Sequence, residues 1–182
     1  MMLLDIDYKA PDWVRHLAVA QREHPWLAAV PDVMSEAQLP EALGQAEEMA
    51  PHCERVLMIP KAPVVDGIPE RVGGVPVVLG YSVPTSYGGC DLMLWEFGRR
   101  PVHLLGGSPR AQRELTRYLY VVSADGNMVW NEARKGRVYD RRGVSSGNTL
   151  RALDGERWSG DGPYEALRRS LINLREFWGL DA

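Results

Sequence analysis

Two cysteines, Cys53 and Cys90, stand alone in the sequence, with no C-x-x-C pair and no clustered histidines to complete a zinc site. Their isolation predicts two reduced, mostly buried thiols, and no metal or cofactor. No apolar run nears the roughly 20 residues that cross a bilayer. The start, MMLLDIDYKAPDW, lacks a basic region followed by a long apolar one. A cytoplasmic protein without a membrane partner is therefore the expectation. Also missing are the G-x-S-x-G elbow of Ser-His-Asp hydrolases, a Walker loop, the long glycine fingerprint of dinucleotide sites and H-E-x-x-H. Each absence removes the chemistry that its motif carries.

What is present is ordinary globular material: 182 residues, 45% hydrophobic and 25% charged, enough to bury one sizeable core. The reading is a single domain over 1–182, with no solenoid-type repeat. The net charge of −3 conceals an asymmetry, because residues 1–90 hold 6 basic against 12 acidic residues and residues 91–182 hold 15 against 12. The late excess includes ARKGRVYDRR, where Arg134, Lys135, Arg137, Arg141 and Arg142 either meet nucleic-acid phosphates or form a solvated surface interleaved with acids.

Short apolar runs recur at Leu3–Ile6, Leu27–Val30, Val56–Ile59, Val77–Tyr81, Val102–Leu105 and Tyr120–Ala124. They are uninterrupted rather than alternating, which suits strands covered on both faces in a parallel sheet. Between the second and third, SEAQLPEALGQAEEMA places Ser35 and Gln38 in a capping-box pattern and repeats Leu39, Leu43 and Ala46 at helical spacing. After Leu105, Ser108 suits an N-cap and Pro109 the first helical position, with Ala111, Leu115 and Leu119 as the inward stripe. Such strand-helix-strand units predict an α/β fold with a mainly parallel sheet. A polar connector at about 134–162, with room for a small hairpin, precedes a C-terminal helix at about 163–178 carrying Leu167, Leu171, Leu174 and Trp178.

In a parallel sheet the loops after the strands converge on one face, so polar residues at strand ends are the candidate site. Asp32 follows one run, Lys61 the next, and Gly80, Tyr81 and Ser82 close another. Gly106 and Gly107 then allow a tight turn ahead of Ser108 and Arg110, which either cradles a phosphate at a helix start or merely satisfies backbone geometry. Asp125, beside Gly126 and Asn127, is either a nucleophile or base, or an Asx-turn or helix cap. Asp32 either reads N–H groups of a base or starts a helix, and His103 lies inside an apolar strand, as a core histidine or a ligand contact.

The order of these segments, AAVPDV, VVLGYSVP, HLLGGSP and VVSADGN, resembles the catalytic half of the tRNA-guanine transglycosylase superfamily. That superfamily comprises the queuine and archaeosine enzymes and the phage relatives that insert deazaguanines into DNA. HLLGGSP stands for the family's L-M-G-x-G-x-P segment, and the resemblance covers roughly Leu27 to Asn127. It implies a TIM-barrel-like fold, small or incomplete here because a complete barrel needs roughly 200 to 250 residues. It implies Asp32 as the base-reading carboxylate, Gly80 and Tyr81 in the base pocket, and Gly106, Gly107 and Ser108 facing phosphate or ribose. Val122 and Ser123 occupy the place of the family's nucleophile segment, so Asp125, slightly later, becomes the candidate nucleophile. The family's zinc-binding cysteine cluster has no counterpart.

The expected activity is transglycosylase-like action on the N-glycosidic bond of a nucleotide or nucleic acid, DNA or tRNA, by exchange or removal of a purine-like base. Asp125 and Asp32 would be the catalytic pair, and Gly80, Tyr81, Ser82, His103, Gly106, Gly107, Ser108, Arg110 and Asn127 the substrate contacts. The alternatives are a non-catalytic nucleotide- or nucleic-acid-binding module and a phosphosugar enzyme on the same scaffold.

Overall fold

A computed structural model describes residues 2–7, 10–85, 89–146 and 162–179. The chain forms two compact units, residues 1–105 with 116–124, and residues 106–115 with 125–182.

The first unit is built on strands β1 (Leu3–Leu4), β2 (Leu27–Ala29), β3 (Val56–Met58), β4 (Arg71–Val72), β5 (Val75–Ser82), β6 (Pro101–Leu105) and β7 (Tyr120–Ala124). Their order is β1-β2-β3-β5-β6-β7, every one of those pairs parallel, with β4 antiparallel to β5. All six apolar runs are thus strands, joined in chain order. A doubly wound sheet would reverse its order partway, whereas a sheet in which each strand adds beside the last curls toward a barrel. Here it forms a half-barrel. β4 carried no signal because two residues, Arg71 and Val72, give no period to read; the Gly73-Gly74 turn folds them onto β5.

Helix α1 (Trp13–Glu23) starts at Asp12, whose carboxylate accepts the N–H of Arg15 at 3.0 Å. Helix α2 (Leu39–Met49) follows a short 3-10 turn at Glu36–Gln38. The Ser35 capping box does not form: Ser35 makes no side-chain cap, and Gln38 instead accepts the N–H of Met34 at 2.8 Å. The intervening 3-10 turn moves the helix start past the residues that the box would have joined.

The core of this unit follows from strands covered on both sides. Leu27, Ala28, Ala29, Val56, Leu57 and Met58 are wholly buried. One face gathers Leu27, Ala29, Leu57, Ile59 and Val78, with Leu3, Trp26 and Leu105 packed against them. β7 departs from the expectation of two covered faces, because it is the last strand of the sheet and leaves Tyr120 62% exposed and Val122 36% exposed.

The second unit contains α3 (Pro109–Leu115), α4 (Met128–Arg134), the antiparallel pair β8 (Val138–Tyr139) and β9 (Ser145–Ser146), and α5 (Gly162–Trp178). Ser108 does cap α3, accepting the N–H of Ala111 at 3.2 Å. Two small cores hold α5: Ala133, Val138 and Ala166 form one, and Tyr139, Leu174 and Phe177 the other. Ser170, buried on α5, donates to Ala166 O and accepts the N–H of Tyr139. The connector residues 147–161 lie outside the described residues.

Candidate functional site

Parallel pairing continues past the ends of β2 and β3. The N–H of Val33 donates to Ile59 O and the N–H of Lys61 donates to Val33 O, each at 2.9 Å, with Val33 bridging Pro60. This register places Asp32 and Lys61 side by side, with Lys61 Nζ 3.7 Å from Asp32 Oδ2. Ser82, which ends β5, accepts a short hydrogen bond from Lys61 Nζ through its Oγ. Three strand ends therefore meet in one polar cluster.

The cluster is sheltered: the Lys61 side chain is 17% exposed and that of Asp32 24%. Burial pushes the Asp32 carboxyl above its ordinary range, the Lys61 ammonium pulls it back, and the Asp5 carboxylate adds a further upward push. Cys90 closes one side, donating its thiol to Pro60 O at 3.6 Å while its N–H donates to Ser82 O at 3.0 Å. Burial raises the Cys90 thiol, so it packs as a neutral group. Cys53 likewise stays a thiol, pushed up to about 11 by burial. Among the described residues no three histidines, cysteines or carboxylates group to hold a metal.

Asp32 and Ser82 are thus brought together as strand ends, and Lys61 joins them as a side chain that the site assignment from sequence left out. The positional rule that selected Asp32, a polar residue just beyond an apolar run, applies equally to Lys61. Gly80 and Tyr81 flank the cluster in sequence but have other surroundings. A Cβ on Gly80 would stand 2.6 Å from Ile59 Cγ1 and 3.1 Å from Leu105 Cδ1, so its missing side chain is used by packing. The Tyr81 ring is buried edge-on against Phe97 at 5.3 Å, and burial raises its phenol. His103, 2% exposed, pairs in register with Gly80 and Ser123, and its Nδ1 lies 2.7 Å from Ser123 Oγ.

The remaining candidates belong to the second unit. Gly106 (φ 70°) and Gly107 (φ 81°) take the left-handed conformation that only glycine adopts freely. The Gly106 N–H donates to Asp125 Oδ1 at 2.8 Å, and Gln112 Nε2 donates to both Gly106 O and Asp125 O, at 2.7 and 2.5 Å. Asp125 thereby fastens the glycine turn ahead of α3. Arg110 is exposed, its Cγ near Gly143, and Asn127 stands at the start of α4 without a side-chain cap.

The basic segment is largely met by acids of the same unit. Glu132 takes Lys135 at 2.9 Å and Arg137 at 3.1 Å, Glu176 takes Arg141 at 3.0 Å, and Asp140 takes Arg142 at 2.8 Å. Arg134 is exposed at the end of α4. These pairs set the basic side chains among acids of this unit.

Among the described residues no helix is long and apolar enough to cross a membrane. Neither a curated protein nor a solved structure matches the sequence. A protein-family model matches residues 1–179, nearly the whole chain, and by it the chain belongs to DUF6610, a family of unknown function.

Proposed function

We propose that this chain binds a purine-like base or nucleotide at the Asp32-Lys61-Ser82 cluster and acts on its N-glycosidic bond, by base exchange or base removal. The observation that carries the reading is the cluster itself. A carboxylate acceptor, an ammonium donor and a hydroxyl stand together in a sheltered spot at three adjacent strand ends. A base edge that alternates ring N–H donors with a carbonyl acceptor is complementary to that set, with Asp32 taking N–H groups and Lys61 or Ser82 giving to the carbonyl. In low-dielectric surroundings such bonds discriminate strongly, because a mismatched edge leaves a buried polar group unpaired. Base departure builds positive charge on the sugar, which a carboxylate stabilises or traps. Asp125, the nucleophile that the family resemblance implies, accepts the Gly106 N–H.

The same Gly106 bond favours a second reading, a binding module without turnover, since a carboxylate that fastens a turn has a role independent of chemistry. The test is mass spectrometry of DNA and tRNA oligonucleotides incubated with the protein, with and without free guanine or deazaguanine, for wild type, Asp32→Asn and Asp125→Asn. An exchanged or abasic product lost in both variants supports glycosidic-bond chemistry. Base binding that Asp32→Asn weakens, with no product on any substrate, identifies the binding module.

A further inference from the structure

The chain's 21 basic residues include only three lysines, Lys9, Lys61 and Lys135. Arginine serves almost everywhere that a positive charge is wanted, and at Lys61 it does not. The difference is chemical: a guanidinium keeps its proton, whereas an ammonium can release one and become a nucleophile. Lys135 is 59% exposed and paired with Glu132, an ordinary surface contact. Lys61 is 17% exposed, at a strand end, its Nζ held between Ser82 Oγ and a carboxylate 3.7 Å away.

We propose that Lys61 forms an imine with the open-chain aldehyde of a sugar or sugar phosphate. Asp32 takes one proton from the Lys61 ammonium, and the free amine adds to the carbonyl carbon to give a carbinolamine. Asp32 returns the proton to the carbinolamine hydroxyl, water leaves, and a protonated carbon–nitrogen double bond remains. Two of the three ammonium hydrogens depart in that water and one stays on nitrogen, so no oxidant or reductant is required. Asp32 suits the transfer because burial raises its proton affinity toward that of a group able to accept and return a proton. Ser82 fixes Nζ while its charge changes, and is a positioning residue. The inference rests on the proposed glycosidic reading only for the identity of the sugar, since base removal exposes the anomeric carbon that opens to an aldehyde.

The experiment incubates the protein with D-ribose 5-phosphate and sodium cyanoborohydride, which reduces an imine to a stable amine, and maps the modified peptides. The expected result is a saturable adduct at Lys61, favoured about tenfold or more over Lys135 despite its lower exposure, absent in Lys61→Arg and about tenfold slower in Asp32→Asn. Circular-dichroism melts confirm that both variants are folded. An unmodified Lys61, or labelling that favours the more exposed Lys135 over Lys61, overturns the proposal. A Lys61 adduct with the free sugar, alongside oligonucleotides that keep their bases, retains the imine and removes the glycosidic reading. Base loss without a Lys61 adduct does the reverse.

Discussion

Gly80 shows how a single residue's role depends on what surrounds it. In sequence it stands among strand-end residues, which suggests space for a ligand; in the fold, Ile59 and Leu105 fill that space. Gly80→Ala is expected to cost about 1–3 kcal/mol, read from the urea midpoint, because its Cβ would overlap Ile59 Cγ1. Asp125 makes the complementary case. Asp125→Ala removes the acceptor for the Gly106 N–H and should cost about 1 kcal/mol, while Asp125→Asn keeps an acceptor oxygen and should unfold close to wild type. Comparing these two variants in denaturation and in the oligonucleotide assay separates the latch from any chemistry. Lys61 was open to the same strand-end rule as Asp32, but only its contacts with Ser82 and Asp32 distinguish it from a solvated lysine.

Among the elements, α4 and the β8-β9 hairpin are joined through Glu132, which takes Lys135, Arg137 and the Ser145 hydroxyl. The hydrogen bond from Lys135, then that from Ser145, hold its carboxyl down at about 2 against the opposing effect of burial. A carboxyl lowered in the folded state contributes stability above its ordinary value near 4.5, and that contribution fades as pH falls toward about 2. Melting temperatures between those pH values should therefore fall less steeply for Glu132→Gln than for wild type. No sequence rule marks Glu132 as such a hub, since Arg137 and Ser145 reach it only once the hairpin folds. Ser108, by contrast, was legible as a cap: the hydroxyl, the following Pro109 and the helical stripe are all local. Ser35 looked equally good, and the 3-10 turn at Glu36–Gln38 displaced it.

For the molecule as a whole, the stability of the first unit rests on strands buried from both sides. Leu57→Ala, in the middle of β3 with no exposed surface, should cost about 2–5 kcal/mol in denaturant unfolding. The six parallel strands were determined by sequence, because an uninterrupted apolar run is a local pattern that must be covered wherever it lies. The start of α3 was likewise fixed by local residue choice, through the Ser108 hydroxyl and Pro109. Tertiary structure alone decided the strand order, the exposed face of β7 and the antiparallel β4. It alone placed Asp32, Lys61 and Ser82 in contact, and it turned Asp125 onto the Gly106 amide. The physical reason is separation along the chain: which strand ends become neighbours depends on register between segments tens of residues apart, and no local pattern encodes it.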